Sequence, residues 1–534
     1  MPAVPAQPGR ESGEGHGASG SFLARAALLT ALLSAAGSVL GLGRDQALAH
    51  LFGAGSATDA FLVAWTVPEV AATLLIEDGL AFMLVPAFSA AIAARGRTAP
   101  GAPDPVRAFV AGSLPRLATA FVAASLLLIA GAPQLVELLA PGLPDPRLAV
   151  DCTRLTATCV LTFGLTGYCS AALRAHSSYL APAAIYVAYN TGIIATLFVL
   201  ADRWGVRAAA AGVAVGGCLM VLVQLPALRR RLAPAAQGAP RPGKAAAARR
   251  MDLAMVAAVL LFALCRQAQV FIERFLAAPL PAGAISHLNY AQKIAQLPMV
   301  LSLMLCTVTF PVVAKALARG DTERARDRVE RDVTLAACIV LLGTAVVFAC
   351  APQIVEILFQ RGAFTARDTA ATASIMRVYS LGLLGHCLVG ALVRSYFSAG
   401  RPSWYPLAAM AAGMTLTAAA GTWAVGVWGV GGIAAANALG ITVTAALLLG
   451  AMGRHAVPVR LPVVLRELGK TLLAACAATG AGLVVADRAA GPVASLAAGS
   501  LVIGAVFCLL LWALHVRAFL PAVRTATRKL RNAR

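Results

Sequence analysis

The sequence predicts an all-α polytopic membrane protein of about 14 transmembrane helices, arranged as two parallel-repeated six-helix lobes followed by two C-terminal helices. Three observations carry that prediction. Of 534 residues, 59% are hydrophobic and 13% charged, roughly half the charged share of a soluble domain. The apolar residues fall in repeated runs of roughly 20, the length a helix needs to cross the hydrocarbon core. Finally, part of the first half returns in the second. Ala132–Leu139 (APQLVELL) recurs as Ala351–Leu358 (APQIVEIL), and Gly164–Leu173 (GLTGYCSAAL) as Gly382–Leu392 (GLLGHCLVGAL), an offset of about 219 residues. Pro86–Gly96 against Pro311–Gly320 adds a weaker third pair.

Taken in order, the Gly-, Pro- and Ser-rich stretch 1–20 reads as a disordered cytoplasmic tail. The N-lobe, 21–228, is expected to hold helices near 22–42, 57–94, 106–131, 148–174, 179–201 and 206–228. The first of these is too long for a signal-peptide core and lacks a cleavage site, so it is expected to be retained. A basic linker, 229–251, suits a flexible connection. The C-lobe, 252–455, follows with helices near 252–277, 283–318, 331–350, 370–399, 403–424 and 428–452. Helices near 466–486 and 492–516 form a pair within 456–518, and 519–534 is a basic tail. The runs 57–94 and 283–318 exceed one crossing and should bend or leave the bilayer.

Charge placement agrees with this order. Lys and Arg concentrate after even-numbered helices, as at Arg95, Arg97 and Arg107, at Arg229–Arg231, and at Arg324, Arg326 and Arg328. The positive-inside rule then puts both termini in the cytoplasm. Topology and anionic head groups account for the net charge of +21 better than a nucleic-acid groove does. The repeat offset spans six helices, an even number, so the two copies share one orientation. In transporters built from parallel repeats the substrate site lies between the halves.

Eleven cysteines stand singly, without a CxxC pair, and read as small buried hydrophobes. Seven histidines show no metal-ligand spacing, and no Walker, G-x-S-x-G or Gly-rich nucleotide motif occurs. The sequence therefore points to a transporter and not an enzyme, with no cofactor beyond a coupling monovalent cation or the membrane potential.

Ionisable residues inside apolar runs mark the candidate site, because bilayer placement is costly unless they face a wet cavity or a partner charge. Leu40–Pro86 contains Arg44, Asp45, Asp59, Glu69, Glu77 and Asp78, with Gly41, Gly43, Gly53, Gly55 and Pro68 breaking the run. Arg44–Asp45 also fits a helix end at the outer surface, and Asp59, after Ser56 and Thr58, also fits an N-cap. In the second half, Arg266 falls near mid-bilayer and needs either a carboxylate or an anionic ligand. Glu273 lies two turns on along the same face, with Arg274 beside it. Lys293 lies about ten residues into helix eight. Arg154 and Arg377 fit snorkelling to an interface.

SVLGLGRDQALAHLFGAGSATDAFLVAWTVPE (Ser38–Glu69), followed by Glu77-Asp78-Gly79 and LVPAF, resembles the signature of the MurJ/MviN family of lipid II flippases within the multidrug/oligosaccharidyl-lipid/polysaccharide exporter superfamily. LNYAQKIAQLP and LFQRGAFT resemble further family segments, and the resemblance runs over about residues 22–516. It implies a fourteen-helix fold with a cationic central cavity for pyrophosphate and sugars, and a groove for the polyprenyl tail at the last two helices. It also implies transport of a polyprenyl-pyrophosphate-linked glycan, foremost lipid II, from inner to outer leaflet by alternating access. Arg44 matches the family's R-D arginine, Asp59 its T-D-A-F aspartate and Glu77 its glutamate before a glycine turn. Lys293 stands where the family usually has arginine, keeping charge but losing the bidentate fork. Ser38, Ala72 and Thr73 stand where the family shows arginines, with Arg266 the candidate to compensate.

Arg44, Arg266 and Lys293 are thus expected to bind substrate, while Asp59, Glu69, Glu77 and Glu273 order those charges or couple to ions. The implied location is the bacterial plasma membrane, and the implied partners are the lipid-linked glycan, membrane lipids and envelope-synthesis proteins. The rival readings are a flippase for another cell-surface glycan, a cation-coupled drug exporter, and a transport-silent scaffold for envelope synthesis.

Overall fold

The computed structural model describes residues 15–77, 79–95, 104–232, 253–299, 302, 321–398, 403–486, 488 and 491–517, which contain helices and no strand. The first half comprises α1 (Gly15–Phe52), α2 (Ser56–Ala64), α3 (Thr66–Ala72), a π-helical turn (Thr73–Glu77), α4 (Gly79–Arg95), α5 (Pro105–Ala130), α6 (Ala132–Leu139), α7 (Pro146–Ala157), α8 (Cys159–Ala175), α9 (Leu180–Trp204) and α10 (Arg207–Leu232). The second comprises α11 (Leu253–Ala277), α12 (Ala284–Ala295), α13 (Thr322–Ala349), α14 (Ala351–Phe359), α15 (Ala366–Ser380), α16 (Leu383–Ser398) and α17 (Tyr405–His455). The helices α18 (Leu461–Ala486) and α19 (Pro492–Ala513) follow.

Local chemistry sets several boundaries. The Asp104 side chain accepts from Val106 N at 3.0 Å, and Pro105 fills the first helical position of α5, where its missing N–H costs nothing. Thr365 and Asp368 form a reciprocal capping box that starts α15.

The expected 57–94 helix is broken, and proline chemistry explains how. Pro68 has no N–H to give to the Ala64 carbonyl one turn back. The Thr156 hydroxyl of α7 donates to that carbonyl instead, at 3.1 Å, which keeps irregular backbone satisfied inside protein. The π turn then presses on α8, where a Cβ on Gly167 would lie 1.8 Å from the Leu75 carbonyl oxygen.

The duplicated sequences are duplicated in structure. APQLVELL forms the short α6 and APQIVEIL the short α14, and each precedes a broken helix. α7 and α8 part at Thr158, while α15 and α16 meet at a bend of 47°. The expected 403–424 and 428–452 helices are a continuous run interrupted at Gly429, whose φ of 55° is readily adopted by glycine.

Other expectations need correction. α1 already runs from Gly15, inside the stretch read as a disordered tail, because the Ala- and Leu-rich run that follows nucleates a helix that propagates back through the Gly-rich residues. α10 continues through Arg229–Arg231 to Leu232, so the linker's first residues are helical. Most of that linker, the basic tail and residues 300–301 and 303–318 of the eighth expected helix lie outside the described residues. Among the described residues nine helices are long and apolar enough to cross a membrane, ten if the bent α15–α16 pair counts as one span, so the count of about fourteen read from sequence is not confirmed by these residues alone.

In the N-lobe α9 lies between α1 and α10, and α8 is held by α4, α5 and α10; in the C-lobe α17 covers α11 and α16. α18 and α19 pair with each other and rest on α13 and α14. The lobes meet at α1, α2 and α3 against α11, α12 and α14, which sets the site.

Candidate functional site: a charged cavity between the lobes

Two adjoining cavities lie at the lobe interface, about 490 Å³ on the C-lobe side and about 320 Å³ on the N-lobe side. Glu69, Arg266 and Gln267 line both, so the two spaces share a wall. Their sizes fall in the range of small-molecule sites.

α1 carries Arg44 and Asp45 to the N-lobe side. Arg44 Nη2 donates to Asp45 Oδ1 at 2.8 Å and Nη1 to Asn190 Oδ1 at 3.2 Å, with the guanidinium 4.2 Å from the Trp65 ring centroid. From the other lobe, Lys293 Nζ donates to Asp45 Oδ2 at 3.0 Å and lies 5.8 Å from the same ring. One buried carboxylate thus serves two cations, leaving the trio one positive charge in excess. The stacking on Trp65 suits the weakly hydrated guanidinium best.

Arg266 has no hydrogen bond or ion pair among the described residues, and its exposed side chain faces both cavities. It lies thirteen residues into α11 from Leu253, about 20 Å along the helix at ~1.5 Å per residue. Next to it, Gln267 Nε2 donates to the Glu69 carbonyl at 3.3 Å and to Thr73 Oγ1 at 3.1 Å, joining α11 to α3 across the interface. Glu69 Oε2 is buried without a hydrogen-bond partner. Glu77 lines the smaller cavity and accepts from the Tyr186 hydroxyl at 2.9 Å.

The structure therefore brings Arg44, Arg266, Glu69 and Glu77 to the cavity walls, while Lys293 lines neither cavity and is tied to Arg44 through their shared Asp45 and Trp65. It sets Asp59 and Glu273 apart, since neither lines either cavity. Asp59 is 2% exposed and accepts from Gly283 N at 2.7 Å and from Ser286 N at 2.8 Å, as well as from the Ser286 hydroxyl. It does not cap its own helix; it caps α12 of the other lobe, where the helix dipole favours an anion. Around it the interface is closed by one backbone and one side-chain hydrogen bond: Ala363 N donates to the His50 carbonyl at 2.9 Å and Gln46 Nε2 to the Leu358 carbonyl at 3.0 Å. Gly362 permits that approach, with φ of 62° and room for a Cβ only 2.3 Å from the His50 oxygen. Glu273 is buried in the C-lobe, where its Oε1 accepts from Gln269 Nε2 at 3.0 Å and Asn437 Nδ2 at 2.6 Å.

Arg274 is the residue that sequence reading undervalued. It is 2% exposed, with its Nε unpartnered and no carboxylate within ion-pair distance among the described residues, and Glu69, Glu273 and Asp59 are the carboxylates whose field acts on its charge. Three carboxylates from three segments converging on a membrane interior require such a cation. At the positions of the absent family arginines, Ala72 and Thr73 line the smaller cavity, and Ser38 is exposed with its hydroxyl bonded to the Ser34 carbonyl. Among the described residues no three His, Cys, Asp or Glu side chains gather as a metal site.

A duplicated, membrane-crossing helical fold with charged side chains lining a cavity between its halves defines a multi-pass membrane protein of transporter type. The chain belongs to the lipid II flippase MurJ family, whose sequence profile matches residues 48–515. It is 29% identical over 385 residues to "Lipid II flippase MurJ" of Burkholderia cenocepacia, covering 70% of this chain and 73% of that one. It is 26% identical over 484 residues to "Probable lipid II flippase MurJ" of Bdellovibrio bacteriovorus, covering 86% and 88%. Among solved structures, "Lipid II flippase MurJ, inward closed conformation" superposes with a TM-score of 0.71 at 17% identity, covering 91% of this chain and 99% of that one. A multidrug resistance MATE transporter of the MOP superfamily, in an inward-facing conformation, has a TM-score of 0.61 at 16% identity, covering 82% and 99%.

Proposed function

We propose that this chain moves a polyprenyl-pyrophosphate-linked glycan, foremost lipid II, from the inner to the outer leaflet by alternating access of the interlobe cavity. The observation that carries this reading is Arg266: an exposed cation without a carboxylate partner among the described residues, at the junction of two cavities, beside an Arg44–Asp45–Lys293 trio in positive excess. A pyrophosphate satisfies that charge, and a guanidinium matches its oxygens in pairs. The cargo crosses without covalent change, so the protein's work is binding and rearrangement. Family membership supports the cargo class, and the basic loops support cytoplasmic termini. Glu69, whose buried Oε2 has no partner, is the carboxylate best placed to answer a coupling cation or the membrane potential, and Glu77 on the wall of the smaller cavity contributes to the same charge balance.

The test is complementation of a strain depleted of its lipid II flippase, read by outer-leaflet accessibility of the precursor. Wild type restores accessibility, Arg266→Ala abolishes it, and Arg266→Lys restores part. Restoration by Arg266→Ala at wild-type level would refute the role assigned to this residue. A second reading, a different lipid-linked glycan, is favoured by Ala72 and Thr73 on the cavity wall where the family has arginines. Failure of wild type to complement, with transport of another lipid-linked glycan in liposomes, establishes it.

A further inference from the structure

The larger cavity differs chemically from the smaller one. Four glutamines from α11, α12 and the turn after α12 line it: Gln267, Gln269, Gln292 and Gln296. Three of them converge on one phenol oxygen. Tyr379 Oη accepts from Gln269 Nε2 at 3.1 Å, Gln292 Nε2 at 2.9 Å and Gln296 Nε2 at 3.3 Å. Tyr379 is 1% exposed and stacks on His386, with centroids 5.9 Å apart. A phenol oxygen has two acceptor lone pairs, so three amide donors exceed its capacity; Gln269 also donates to Glu273, while Gln292 and Gln296 each keep a second N–H and a carbonyl oxygen for other partners. Among the described residues the Oε1 atoms of Gln292 and Gln296 have no protein partner, and these side chains are four residues apart on one helical face.

We infer that this amide cluster reads the saccharide of the cargo, with Gln292 and Gln296 the specificity-determining contacts and Tyr379 their positioning residue. The inference rests on the proposed function and deepens it. Primary amides donate and accept at once without burying charge, which matches sugar hydroxyls and N-acyl groups and gives a phosphate little. The edge-to-face pair Phe262–Phe397, centroids 6.1 Å apart, lines the same cavity and offers an apolar wall to the C–H face of a pyranose. Arg266, shared by both cavities, takes the pyrophosphate, so the sugar lies on the glutamine side and the phosphates at the junction. Sites built to hydrogen-bond hydroxyls discriminate strongly, because an analogue lacking them leaves buried polar groups unpaired.

The test compares binding of two probes to the full-length protein in lipid nanodiscs: polyprenyl pyrophosphate, bare or carrying an N-acetylated disaccharide. Wild type should prefer the disaccharide form roughly tenfold or more. Gln292→Ala/Gln296→Ala should abolish that preference while bare pyrophosphate binding stays within about twofold. Tyr379→Phe should erode the preference roughly threefold to tenfold, also with little change for the bare probe. If the alanine pair does not fold, Gln292→Met/Gln296→Met, close in size and uncharged, replaces it with the same expectation. Loss of both probes in parallel, or an unchanged preference, overturns the inference and leaves the proposed function standing. Wild type that binds neither probe overturns the proposed function itself.

Discussion

Asp59→Ala perturbs the closed end of the interface without touching the cavity. The carboxylate holds two backbone N–H groups and a hydroxyl at the start of α12, from a residue more than two hundred positions away in sequence. A hydrogen bond to a charged group contributes about 1.5–3 kcal/mol net. Burying a carboxylate offsets part of that sum. The two backbone bonds together leave about 2–4 kcal/mol holding the lobes at this point, with a lost helix cap alone contributing about 1 kcal/mol. At about 1.4 kcal/mol per tenfold, the opening constant of the closed end should rise roughly 30- to 800-fold. Hydrogen exchange of residues 280–290 in the full-length protein reads this directly, because the Gly283 and Ser286 amides are the donors. Asp59→Asn, which keeps one acceptor oxygen and loses the charge, should fall between. Exchange in Asp59→Ala within threefold of wild type would refute the assignment of Asp59 as an interlobe tie.

The remaining predictions concern charge, packing and pH. Asp45→Ala leaves Arg44 and Lys293 facing each other without their carboxylate, and should cost about 3 kcal/mol, the low end for a broken buried pair because the Lys293 side chain is 30% exposed; thermal unfolding in detergent checks it. Gly167→Ala drives a methyl group into the Leu75 carbonyl and should destabilise by about 1–3 kcal/mol; no loss in midpoint temperature would show that the π turn yields freely. At the α4–α5 loop, the hydrogen bond from Arg95 lowers the Asp104 carboxyl below the usual carboxylate range. Its stabilisation is present above the unfolded-state value of about 3.9 and is lost as pH falls through the folded-state value. Asp104→Asn should therefore cost up to about 1 kcal/mol at neutral pH, with the difference from wild type vanishing in acid.

Features that depend on local order along the chain can be read from the residues alone. Apolar run length marks the crossings, and the recurrence of APQLVELL and GLTGYCSAAL marks two like-oriented halves, because a helix's length and inward face follow from its own residues. The same logic singled out Arg44, Lys293 and Arg266, since a charge in a membrane helix needs a partner wherever the helix sits. The identity of that partner follows from how distant helices pack. Asp59 reads locally as a cap for α2, yet it caps α12; Arg274 reads as a neighbour of Glu273, yet Glu69 and Asp59 from other segments also act on its charge. The break at Trp65 needed Thr156 from another helix to satisfy Ala64. The glutamines at 269, 292 and 296 are scattered in sequence and become a cluster because one buried tyrosine gathers them. Each of these is a contact between distant positions, and periodicity within a helix carries no information about which other helix will face it.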